Sequence, residues 1–185
     1  MTRTVAVFGG SFNPPHVAHQ LVCLYVLEAY AVEPLVVVPT FRHPFDKDLA
    51  PFADRLEMCR RAMAPLGDRV QVSEIEAELG GETSRTLVTL EALKERLGDV
   101  RLRLVIGADI LPEREKWWRW TDIERLAPPI VVARQGYPRP ATTPAVELPG
   151  VSSTDIRGRI ARGESVAGLV PRSVAFYMAE KGLYQ

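Results

Sequence analysis

The chain has 185 residues, 46% apolar and 25% charged, with 23 Lys and Arg against 23 Asp and Glu. That length suits one α/β domain with a real core, and the composition is that of an ordinary globular protein rather than a disordered or fibrous one. A formal net charge of zero argues against bulk electrostatic attachment to nucleic acid or a membrane surface, so any anion site is local.

Met1-Thr2-Arg3-Thr4 runs straight into an apolar strand and lacks the apolar stretch and small-residue cleavage site of a signal peptide. No apolar run approaches the roughly 20 residues that span a bilayer. Cys23 and Cys59 sit inside apolar helical patterns without metal-type spacing, and read as small buried hydrophobes of a reducing compartment. A cytoplasmic location is expected, with no nucleic-acid and no membrane partner. A homo-oligomer is compatible with the sequence.

Strand and helix signals alternate along the chain. Thr4 to Phe8 is a short apolar strand closed by Gly9-Gly10. Ala18 to Ala31 is apolar at helical spacing, and Leu35 to Val38 is a second strand stopped by Pro39. Ala53 to Ala64 reads as a helix with Leu56, Cys59 and Met63 on one face. Val70 to Ile75 alternates and suits a third strand. Thr86 to Leu97 is an amphipathic helix with Leu87, Leu90, Leu93 and Leu97 inward. Leu102 to Ile106, ended by Gly107, is a fourth strand, and Ile130 to Ala133 a fifth. Tyr137 to Pro149 is rich in Pro and Thr and reads as a loop with room for a short strand at Val146 to Leu148. Ser153 to Ala161 and Arg172 to Lys181 close the chain as helices. Buried strands separated by helices predict a Rossmann-like, doubly wound parallel sheet covered on both faces. Ligands in such sheets sit beyond the carboxyl ends of the strands, where strand order reverses.

Two segments beyond those strand ends carry chemistry. After the first strand comes Gly9-Gly10-Ser11-Phe12-Asn13-Pro14-Pro15-His16-Val17-Ala18-His19. The glycines let backbone approach a ligand, the next helix opens near Val17 with amides that favour an anion, and His16 and His19, three apart, can donate to phosphate oxygens. The segment is neither a dinucleotide fingerprint nor a Walker A loop. A metal reading of the histidine pair needs a third ligand, and His43, in a proline-flanked loop, is the remaining histidine. A purely structural pair is the other rival. The second segment, Val151-Ser152-Ser153-Thr154-Asp155-Ile156-Arg157, opens a helix with good N-caps, exposed amides and an arginine one turn in. Taken alone, it reads as an ordinary capped helix with a surface arginine.

The first segment resembles the [ST]-F-[DN]-P-x-H-x-G-H signature of the nucleotidyltransferase superfamily, which includes nicotinate and nicotinamide mononucleotide adenylyltransferases; Ala18 stands where the signature has glycine. The second is similar to that superfamily's I-S-S-T-x-x-R motif, which holds a triphosphate. Ile106-Gly107-Ala108-Asp109, followed by Trp117, Trp118 and Trp120, resembles the I-G-x-D-x₇-W block of the bacterial nicotinate mononucleotide adenylyltransferases, in which the Asp lines the nucleotide site and the Trp stacks on the cationic pyridine ring. Arg134-Gln135-Gly136 is similar to the family's R-P-G segment near adenine, and Lys181-Gly182-Leu183-Tyr184 to its ending. Departures gather on the acceptor side: Pro39 to Lys47 replaces a P-N-x-x-P-P-H-K loop, Thr83-Ser84-Arg85-Thr86 replaces P-S-Y-T, and Trp118 replaces a tyrosine.

The resemblance implies transfer of the AMP moiety of ATP to nicotinate mononucleotide. His16, His19 and Arg157 would be the catalytic residues. ATP would lie against Gly9, Gly10, Ser11, Phe12, Gly107, Asp109, Arg134, Ser152, Ser153 and Thr154 together with those three. The acceptor would lie against Arg85, Thr86, Trp117 and Trp118. Mg²⁺ would ride on the phosphates, with no metal ligand from protein side chains. Another acceptor, nicotinamide mononucleotide or phosphopantetheine, and a nucleotide-binding regulator without turnover are the alternatives.

Overall fold

The computed structural model describes residues 2–42, 49–82, 84–134, 136–138, 140–141, 143, 146 and 148–185. His43 and Thr83, both part of the expected acceptor-side segments, lie outside the described residues, as does Gln135.

Five strands form one all-parallel sheet in the order β3-β2-β1-β4-β5: β1 (Arg3–Gly10), β2 (Leu35–Pro39), β3 (Val70–Val72), β4 (Val100–Gly107) and β5 (Pro129–Val132). The expected doubly wound sheet is therefore present. The helices are α1 (Val17–Ala29), α2 (Phe52–Met63), α3 (Ile75–Leu79), α4 (Thr86–Leu97), α5 (Trp120–Leu126), α6 (Ser153–Ala161) and α7 (Arg172–Lys181), with 3-10 turns over Ala64–Arg69 and Ala108–Lys116.

Alternation along the strands builds two cores, one on each face of the sheet. Ala6, Leu35, Val37, Val105 and Ile130 face one way, onto Cys23 and Val26 of α1, Met58 and Cys59 of α2, Ile156 of α6 and Val174 of α7. Val5, Val7, Val36, Val38, Leu102, Leu104 and Ile106 face the other, onto Ile75, Leu87, Leu90 and Leu93 of α3 and α4 and Ile123 of α5. The chain winds outward through β2 and β3 with α1 and α2 on one face. It crosses back with α3 and α4 on the other and enters the sheet again at β4, beside β1. Strand order reverses between β1 and β4, so a crevice opens where Gly9-Gly10 and Gly107 end these two strands.

The third strand is shorter than its alternating pattern predicts. The Ser73 amide still bonds the Val37 carbonyl at 2.9 Å. The Ser73 hydroxyl then accepts the Ile75 amide at 3.3 Å, and the chain turns into α3 with Ile75 as its buried anchor. Of the short strand expected at Val146 to Leu148, Leu148 makes one parallel bridge to Arg134.

Candidate active site

The crevice has a volume of about 1040 Å³. Every site residue expected from the sequence lines it: Gly9, Gly10, Ser11, Phe12, His16 and His19 from the β1–α1 loop; Arg85 and Thr86 at the start of α4; Gly107, Asp109, Trp117 and Trp118 after β4; Arg134 after β5; and Ser152, Ser153, Thr154 and Arg157 at the start of α6.

The β1–α1 loop and the start of α6, far apart in sequence, are joined directly here. The Ser153 hydroxyl donates to the Pro14 carbonyl at 2.9 Å, and Arg157 Nη1 donates to the Asn13 carbonyl at 2.8 Å. Ser152 is the N-cap of α6, its hydroxyl accepting the Asp155 amide at 3.1 Å. The amides of Ser153 and Thr154 are thereby left at the helix start without an intrahelical partner. Arg157 keeps guanidinium donors beyond its bond to Asn13 and a long one to Thr154 Oγ1 at 3.4 Å.

The loop after β1 is set for close approach. A side chain at Gly9 would meet nothing within 4 Å, so the glycine leaves its backbone bare to the crevice. Phe12 adopts a left-handed φ of 46° and packs edge-on against His19, with ring centroids 4.8 Å apart. His16 and His19 stack at 3.6 Å between centroids. The His16 amide donates to His19 Nδ1 at 3.1 Å, which puts the proton of a neutral His19 on Nε2. His16 Nδ1 is buried and has no hydrogen-bond partner among the described residues. Burial, then the neighbouring Arg134 charge, lowers the His16 pKa to about 4. Burial, then His16 and Arg134, hold His19 well below the usual imidazole value. The unliganded pair is neutral. The amide of Val17, expected to face an anion, is instead taken by the Leu169 carbonyl at 3.0 Å. On this side the glycine backbone and the imidazoles are what face the crevice.

Across the crevice Asp109 Oδ2 pairs with Arg134 Nη1 at 2.6 Å. The Asp109 carboxylate folds back over Gly107 so closely that a Cβ there would lie 2.2 Å from Oδ1. Only glycine admits this fold-back, which gives the Gly-x-Asp spacing its physical reason. Farther along, the Trp117 and Trp120 rings meet edge-on at 5.8 Å. The Arg85 and Arg119 guanidinia lie over the Trp118 ring at 5.1 and 5.3 Å. Among the described residues, no three His, Cys, Asp or Glu side chains group so as to hold a metal ion.

Three residues that organise the crevice have no site role in the sequence reading. Arg55 of α2 is 1% exposed. Its Nε donates to the Ala50 carbonyl at 2.9 Å, and its Nη1 to those of Ser11 at 2.9 Å and Thr40 at 2.7 Å, tying the loops after β1 and β2 together. Glu76 of α3 accepts the Phe41 amide at 2.9 Å and the Thr89 hydroxyl at 3.0 Å. The Tyr184 hydroxyl donates to Asn13 Oδ1 at 2.7 Å, bringing the C-terminus onto the β1–α1 loop. Arg55 stands four residues before Cys59, on the apolar stripe of α2, and a charge in such a stripe was the available signal.

The cytidylyltransferase-like family matches residues 7–159 of the chain. A protein of Anaeromyxobacter sp. (strain K) named "Probable nicotinate-nucleotide adenylyltransferase" is 51% identical over 185 residues, covering 99% of this chain and 97% of its own length. One of the same name from Myxococcus xanthus (strain DK1622) is 41% identical over 180 residues, covering 97% and 94%. Plasmodium falciparum nicotinic acid mononucleotide adenylyltransferase, solved in complex with NaAD, shares the fold at a TM-score of 0.85 over 98% of this chain and 97% of its own, with 17% identity. With its parallel sheet, both motif segments in one crevice and full-length similarity to these relatives, the chain belongs to the nicotinate-nucleotide adenylyltransferases of the cytidylyltransferase-like family.

Proposed function

We propose that this chain transfers the AMP moiety of ATP to nicotinate mononucleotide, giving nicotinate adenine dinucleotide and pyrophosphate, a step of NAD biosynthesis. The observation that carries this reading is the direct joining of the two motifs, Ser153 to Pro14 and Arg157 to Asn13, beside one crevice. A phosphate oxygen of the acceptor attacks the α-phosphorus of ATP. The bond from that phosphorus to the β-phosphate oxygen breaks, and pyrophosphate leaves with the electron pair. The attacking oxygen is already ionised near neutral pH, so no general base is needed. What the protein supplies is position and charge.

His19 Nε2–H and the His16 imidazole donate to oxygens of the α- and β-phosphates as charge builds there. Arg157, Thr154 and the open amides of α6 hold the β- and γ-phosphates. Gly9, Gly10, Ser11 and Phe12 let the triphosphate lie against backbone, and Gly107, Asp109 and Arg134 border the adenosine. Trp117 stacks on the acceptor ring, beside Trp118, Arg85 and Thr86. Mg²⁺ bound with ATP would supply neutralisation of phosphate charge as pyrophosphate leaves, and this reading assigns it no cage of protein side chains. We propose the cytoplasm as the setting of the reaction, a reading supported by Cys23 and Cys59, both free and buried, which suit a reducing compartment.

The test is pyrophosphate release from ATP and Mg²⁺ with nicotinate mononucleotide, nicotinamide mononucleotide and phosphopantetheine offered in parallel. Fastest release with the nicotinate acceptor is the expected result. Faster release with either other acceptor removes the acceptor assignment, and tight ATP binding without turnover on any of them removes the catalytic one.

A further inference from the structure

We propose that Arg85 selects the acceptor by the carboxylate on its aromatic ring, with Trp118 as the platform that holds the guanidinium for this task. The proposal rests on the adenylyl-transfer reading above and adds the group that tells an acid acceptor from an amide one.

Charge balance in the crevice points to it. Asp109 neutralises Arg134, and Glu113 neutralises Lys116 at 3.1 Å. Glu76 is satisfied by the Phe41 amide and the Thr89 hydroxyl. Two crevice cations then have no carboxylate partner among the described residues, Arg157 and Arg85. Arg157 touches the Asn13 carbonyl at the phosphate-loop end. Arg85 touches Trp118, beside Trp117. The acceptor carries two anionic groups. Its phosphate must reach the α-phosphorus beside the histidines, while its ring belongs with the indoles. The anion left for Arg85 is the one on the ring.

The surroundings of Arg85 are built for presentation. Its backbone carbonyl accepts the Thr89 amide at 3.1 Å and the Thr89 hydroxyl at 3.2 Å, which pins its start of α4. Ser84 before it exchanges two hydrogen bonds with the backbone of Arg42, at 3.0 and 3.1 Å. Arg119 also lies over the Trp118 ring and is tied to Asp122 at 2.6 Å. A guanidinium resting on an aromatic ring keeps its N–H fork free in its own plane, the geometry that meets a carboxylate with two parallel bonds.

The experiment measures kcat/KM for nicotinate and nicotinamide mononucleotides, with saturating ATP and Mg²⁺, for the wild type, Arg85→Ala and Arg85→Lys. Arg85 is exposed, so neither change threatens the fold. The acid-to-amide ratio is expected to fall about ten-fold in Arg85→Ala, the scale of a charge-assisted hydrogen bond discounted for solvent. In Arg85→Lys it should fall less, since charge remains and the fork is lost. A ratio unchanged in Arg85→Ala overturns the proposal, whether both rates fall together, as for a phosphate contact or a structural role, or neither falls. A wild type that turns over neither mononucleotide overturns the adenylyl-transfer reading and this proposal together. A wild type that favours the acid, with the preference intact in Arg85→Ala, overturns this proposal alone.

Discussion

Acid should destabilise the unliganded protein through its stacked histidines. His16 is 6% exposed, and its pKa is lowered from 6.5 to about 4, first by burial and then by Arg134. In an unfolded chain the same imidazole protonates near 6.5. Between those values the unfolded state binds the extra proton, so stability is fully present above about pH 6.5 and is lost as the pH falls toward 4. From pH 7 to pH 5, His16 alone costs about 2 kcal/mol by this linkage, a large share of the roughly 5–15 kcal/mol that holds a domain together. His19 acts in the same direction, because burial, His16 and Arg134 also keep it neutral and a proton on Nδ1 would break its bond from the His16 amide. Urea unfolding at pH 7, 6 and 5 should show the wild type losing at least about 2 kcal/mol more than a His16→Gln/His19→Gln variant. Saturating ATP should flatten the wild-type curve, since bound phosphate favours imidazolium. Parallel pH curves for wild type and variant would refute the neutral-pair argument.

Three further outcomes follow from the crevice. His19→Ala should lower kcat roughly 100- to 1000-fold, the scale of losing one preorganised donor, with a smaller change in ATP KM; steady-state kinetics that keep kcat within a few-fold make the histidine structural. Gly107→Ala drives a Cβ into Asp109 Oδ1 and should break the Asp109–Arg134 pair, lowering kcat/KM for ATP on the order of ten-fold; full activity would mean that the fold-back of Asp109 is incidental. Trp117→Ala should raise acceptor KM roughly five- to thirty-fold while ATP KM barely moves, and an acceptor KM equal to wild type removes the stacking role.

The sheet was legible because its strands are buried on both faces and read as apolar runs, such as Leu35 to Val38, bounded by Gly and Pro. The candidate site was traceable because both segments carry the residue types and spacing that phosphate binding after a strand would need, and the fold brings them into one crevice. What escaped depends on contacts distant in sequence. Val70 and Val72 alternate with Gln71, but Ile75 falls out of that phase and opens α3 instead, its amide bonded to the Ser73 hydroxyl. Residues 108–126 hold a 3-10 turn containing Pro112 and the seven-residue α5, with Ala108 and Ile123 as their buried anchors, pieces too short for a periodic signal. The buried Arg55 is satisfied by carbonyls of Ser11, Thr40 and Ala50, partners that only the folded chain brings together. The direction of Arg85, onto Trp118 rather than away from the crevice, is likewise set by tertiary packing.

The measurement that bears most directly on adenylyl transfer is the fate of labelled phosphorus. ATP carrying label at the α-position, or separately at the γ-position, is incubated with the protein, Mg²⁺ and nicotinate mononucleotide, and the products are separated. The account predicts all transferred α-label in a dinucleotide and all released γ-label in pyrophosphate, in equal amounts. Appearance of γ-label on the acceptor, or α-label left on ADP, would contradict it.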